Sequence, residues 1–120
     1  MENEKTQEFT DFVCNTLDEL KKLFLAKNAQ YSTEDDPLAN FSAGASLRTG
    51  EEPTFAEMYE EAKNYRRKHV VHIERHGIDA DKAVESLMDT AIYSVIMMYM
   101  CEKSKRNAYF EANNESGGAQ

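Results

Sequence analysis

The stretch ADKAVESLMDTAIYSVIMMYMCEKSK, residues 80–105, decides the fold. It holds no proline or glycine. Its apolar residues begin at helical spacing, with Ala83, Val84, Leu87 and Met88, and become nearly continuous from Ala91 to Cys101. A segment of this length and pattern reads as one long helix buried on more than one side. Asp79 is placed to cap its start, and Lys103, Lys105 and Arg106 suit its C-terminal dipole. The run from Ala91 is interrupted by Ser94 and falls short of the ~20 apolar residues a membrane span needs.

Working backward, Gly77 marks the stop of a preceding helix. That helix starts at Thr54-Phe55-Ala56-Glu57, a capping box, and should run to His76. Further back, Pro37 opens a short helix carrying Leu38, Ala39 and Phe41, expected to end near Gly44 or Leu47. Residues 7–30 read as the first helix, because Phe9, Phe12, Val13, Leu17, Leu20 and Phe24 recur at spacings of three and four. Thr6 is its expected N-cap. No strand of convincing length occurs. The expected fold is all-α: a compact bundle of three long helices plus one short helix, completed by oligomerisation. One helical domain is expected over 1–112, and the polar, glycine-bearing residues 113–120 read as a disordered tail.

The chain has 120 residues and a formal net charge of −8. An acidic chain repels nucleic-acid phosphates, so direct binding to a DNA or RNA backbone is not expected. A free nucleotide or a basic protein partner remains open. Cys14 and Cys101 lie in apolar helical patterns without a C-x-x-C pair, and they read as buried free thiols. The polar N-terminus matches no signal or transit peptide, and a cytoplasmic location is expected.

Two carboxylate pairs stand out. Glu57 and Glu61 share one helix face, with Glu60 beside them, and Glu85 and Asp89 share another. Facing each other, these pairs would repel unless a hard cation such as Mg²⁺ lay between them. The competing reading is a set of solvated faces in a chain with 22 acidic residues. Lys27, Asn28, Tyr31, Asp36 and Asn40 gather a cation, amides, an aromatic ring and a carboxylate around one loop, as a nucleotide site does. A capped turn would use the same residue types. Lys63 and Arg67 lie four apart in a basic stripe that also holds His69, His72 and His76. The histidine spacing suits zinc ligation, and a solvated face is the competing reading.

The segments Lys27-Asn28-Ala29-Gln30-Tyr31, Asp36-Pro37-Leu38-Ala39-Asn40-Phe41 and Glu85-Ser86-Leu87-Met88-Asp89 occur in an order that resembles a phage family. It is the nucleotide-modification-associated domain 1 family, related to the MazG-like all-α NTP pyrophosphohydrolases. The resemblance spans about residues 20–100. It implies Mg²⁺-dependent attack of water on a nucleoside triphosphate, with release of pyrophosphate. Glu57, Glu60, Glu61, Glu85 and Asp89 would hold the metal. Glu57, Glu61, Glu85 and Asp89 would be the catalytic set. Lys63 and Arg67 would face the phosphates, and Lys27, Asn28, Tyr31, Asp36 and Asn40 would line the substrate side. Ala62 stands where such relatives often carry an acid, and Ser32 where they carry glycine. Ala62 and the modest core that a chain of this length can bury favour an alternative on the same scaffold: a non-catalytic phage accessory or anti-defence protein that binds a nucleotide or a basic host protein. Either would act in the host cell cytoplasm, as a homo-oligomer.

Overall fold

In the computed structural model the backbone is described for residues 2–31, 38–50 and 52–118. It forms four helices: α1 (Glu2–Tyr31), α2 (Ala39–Thr49), α3 (Phe55–His76) and α4 (Ala83–Gly118). Among the described residues there is no strand, and the fold is all-α. Among the described residues no helix is long and apolar enough to cross a membrane. The chain divides into two compact units, Met1–Leu38 and Ala39–Gln120.

The first unit is α1. It begins at Glu2, so Thr6 lies inside the helix and does not cap it. Glu4 lies in its first turn, where the helix dipole favours an acid, and the helix starts ahead of Thr6. A single helix cannot bury its own apolar stripe, and Phe9, Phe12, Leu17 and Leu25 are all exposed.

The second unit is built on the α3–α4 pair, with α2 packed on α3. The start of α3 follows the sequence closely. Thr54 Oγ1 accepts from the Glu57 amide at 3.1 Å, and the Glu57 carboxylate accepts from the Thr54 amide at 3.0 Å. Both halves of the capping box are therefore made, satisfying two amides that have no partner within the helix. At the other end Gly77 takes φ of 78°, a left-handed value open to glycine, and its amide donates to Ile73 O at 2.8 Å.

Asp79 does not cap α4. Two tight turns intervene, Ala80 N to Gly77 O at 3.3 Å and Ala83 N to Ala80 O at 3.1 Å, and the helix starts at Ala83. At its far end α4 extends past residue 105 and into the expected tail, through Gly118. The end of α2 also differs from expectation. Gly44 lies within the helix, and Gly50, with φ of 76° and its amide on Ser46 O, closes it.

The core of this unit joins Phe41 and Ala45 of α2, Met58 and Ala62 of α3, and Ile92, Met97 and Met100 of α4. Phe41, Tyr65 and Tyr93 meet as a triangle, with ring centroids 5.7, 6.2 and 6.4 Å apart. These separations suit tilted and edge-on aromatic contacts. Ala45 and Ala62 are fully buried, and such small side chains let helix backbones approach closely. An acid at position 62 would lie in the core, stripped of water. The apolar half of α4 is not covered all round: Val95 and Met98 are 64% and 65% exposed. Cys101 and Cys14 are free and exposed rather than buried.

Candidate functional site

Four contacts fix how α3 and α4 align. Arg66 Nη1 donates to Ser94 Oγ at 3.3 Å. Tyr65 and His69 both pack on Tyr93, the imidazole stacked at 5.8 Å. His69 Nδ1 lies 3.6 Å from Asp89 Oδ2. Residues 65 and 66 therefore sit level with 93 and 94, while 69 sits level with 89 to 93, and the helices run antiparallel.

This register separates the two carboxylate pairs. Glu61 precedes His69, the neighbour of Asp89, by eight residues. At 1.5 Å per residue that is about 12 Å along the axis. Glu57 lies about 18 Å from the His69 level, and Glu85 is displaced about 6 Å the other way. A Mg²⁺ ion holds its oxygen ligands at roughly 2.1 Å. Among the described residues, no three His, Cys, Asp or Glu side chains gather where they could hold one ion. Glu57, Glu60, Glu61, Glu85 and Asp89, implied as one metal set, are therefore not brought to one point of a single chain.

Each acid has its own setting. Glu57 completes the capping box. Glu60 pairs with Lys63 at 3.2 Å on the surface, a contact worth little in water. Glu61 reaches α2: a Cβ built on Gly44 would come within 2.7 Å of its Oε1. Glu61 also takes the Tyr65 hydroxyl. The Tyr65 phenol is held above its ordinary range first by burial, then by the charge of Glu61 and the hydrogen bond between them. Glu85 is exposed. Asp89 is only 7% exposed, one of two buried polar residues in the described core. The other, Ser86, accepts at its carbonyl from Thr90 Oγ1 at 2.7 Å, and the Thr90 carbonyl accepts from Ser94 Oγ at 2.9 Å. These bonds make a polar line along the α4 face that meets α3.

Among the expected substrate-side residues, Lys63 is half-buried and Arg67 exposed. Lys27 and Asn28 are half-buried on α1, and both have partners. Tyr31 ends α1 and Asn40 lies in α2, but their side chains, and all of Asp36, fall outside the described residues. The sequence reading missed two neighbour relations. One is His69 with Asp89, signalled only by a buried-face acid opposite a half-buried histidine. The other is Glu61 with Tyr65 and Gly44; its i,i+4 half was legible and its α2 half was not. Comparison with family models, curated proteins and solved structures finds no match to this chain.

Proposed function

We propose that the chain is a non-catalytic nucleotide-binding protein of the phage-type all-α scaffold. The observation that carries this reading is the register of α3 and α4. It leaves Glu61 and Asp89 about 12 Å apart along the helix pair, too far for one Mg²⁺ to bridge. The nucleotide rests on the resemblance in residues 27–41 and on the cations of α3, Lys63, Arg66 and Arg67. A phosphate-bearing ligand would find those cations on one helix of an otherwise acidic chain. Acting as an accessory or anti-defence protein, it would work in the host cell cytoplasm by holding its ligand rather than cleaving it. A basic host protein is the other partner that its net charge of −8 would suit.

A second reading, a Mg²⁺-dependent NTP pyrophosphohydrolase, is favoured by the burial of Asp89. A carboxylate is expensive to desolvate, and such acids recur where chemistry is done. This reading needs the two acidic pairs to come from different copies of the chain. The exposed stripe Val84, Leu87, Val95 and Met98 on α4 supports self-association.

The two readings part in one experiment. The protein is incubated with each NTP and dNTP, with and without Mg²⁺, while thermal stability and pyrophosphate release are followed. Stabilisation by a nucleotide without pyrophosphate is the expected result. Pyrophosphate release that is lost in Asp89→Asn selects the hydrolase instead. Neither stabilisation nor release with any nucleotide overturns both.

A further inference from the structure

The junction of α3 and α4 carries a cluster that neither reading uses. His72 and His76 lie one turn apart on α3, with ring centroids 4.5 Å apart. They line an open cleft together with Asp79, Ala80, Asp81 and Lys82 of the connecting turns. Nε2 of His72 is buried and has no hydrogen-bond partner among the described residues. A buried polar atom left unsatisfied costs about 1–3 kcal/mol, so natural structures rarely leave one without a ligand or an ordered water.

We propose that His72 and His76 form a two-imidazole site for a borderline transition-metal ion, with Zn²⁺ as the representative. Imidazole nitrogen is a good ligand for Zn²⁺, Cu²⁺ and Ni²⁺, and a poor one for Mg²⁺, which takes oxygen. Positions i and i+4 place both rings on one face, the helical arrangement that chelates a single ion. A turn of the His72 ring toward the cleft would let an ion become the partner that its buried nitrogen lacks. The carboxylates of Asp79 and Asp81 outnumber the single ammonium of Lys82 on the cleft wall, so the local field favours a cation. Because no third His, Cys, Asp or Glu among the described residues joins the pair, waters complete the shell. The site is therefore open and exchangeable, unlike a closed structural zinc site with four protein ligands. The metal class also differs from the Mg²⁺ of the hydrolase reading, so the two ideas stand or fall separately.

The test is a calorimetric titration of tag-free protein with ZnCl₂ alone, with MgCl₂ as control, alongside NMR of the imidazole nitrogens. One Zn²⁺ should bind per chain. The signals of His72 and His76 should move while those of His69 stay, and Mg²⁺ should move none of the three. Loss of an outer partner typically weakens a metal site about 10–100-fold, so removing a ligand in His76→Ala should weaken binding at least about tenfold. His76 is exposed, so this variant should keep its helicity by circular dichroism. No saturable Zn²⁺ binding, binding undiminished in His76→Ala, or movement of His69 in place of His72 and His76 would overturn the proposal. The NMR result uses the unaltered protein and does not depend on any variant folding.

Discussion

The two halves of α3 solve opposite problems. The N-terminal half, from Phe55 to Tyr65, is packed by α2 and α4 through Met58, Ala62 and the Phe41–Tyr65–Tyr93 triangle. Its carboxylates are used locally, by the capping box, by Lys63 and by Tyr65. The C-terminal half, from Arg66 to His76, meets α4 through polar groups, Arg66 on Ser94 and His69 beside Asp89, and ends at the His72–His76 pair. The difference teaches that helical spacing alone does not mark a site. Glu57/Glu61 and Glu85/Asp89 look equivalent in sequence, yet one pair belongs to packing and capping while the other places an acid in a polar seam.

The comparison can be broken most forcefully at Ala62. Ala62→Glu puts a carboxylate at a fully buried position and should cost more than about 3 kcal/mol by urea denaturation. Asn64→Glu, two residues away and exposed, should change stability by no more than about 0.5 kcal/mol. Similar values for the two would mean that the N-terminal half of α3 is not a packed end.

A smaller effect is expected at the cap. Thr54→Ala removes one half of the box and should cost about 1 kcal/mol. The loss should shrink in a Glu57→Ala background, because the two bonds act together. Fully additive losses would separate Glu57 from the capping role assigned to it here.

The smallest effect is spectroscopic. Free tyrosine titrates near pH 10. The folded-state pKa of Tyr65 is raised, so the neutral phenol is the form the fold favours. Its contribution is complete below about pH 10 and is lost as pH rises through the higher folded value. Phenolate absorbance, taken as the difference from Tyr65→Phe, should show ionisation above pH 10 and a return toward it in Glu61→Gln. Titration at the ordinary value in the unaltered protein would remove Glu61 from this contact.

Much of the architecture was legible because it depends on neighbours in the chain. The capping box at Thr54, the stop at Gly77 and the existence of the long apolar helix α4, though not its start or its end, are each set by local hydrogen bonding, backbone sterics or spacing of three and four. The misreadings share a different cause. Gly44 was expected near a helix end, but it sits inside α2 where the Glu61 side chain comes close. Asp79 had the chemistry of a cap, but two tight turns carry the chain past it. The candidate site was legible as a list of residue types and not as an arrangement.

By itself the sequence determined the all-α fold, the limits of α3, and the fact that acids and cations recur at helical spacing. These follow from interactions within about one turn of chain. Only the tertiary structure decided that Asp89 is buried beside His69, that Glu61 turns toward Tyr65 and α2, and that the two acidic pairs lie at different levels. The physical reason is register. The spacing of charges along each helix is fixed by the backbone, but the alignment of two antiparallel helices is fixed by which side chains interdigitate, here Tyr65, His69 and Tyr93.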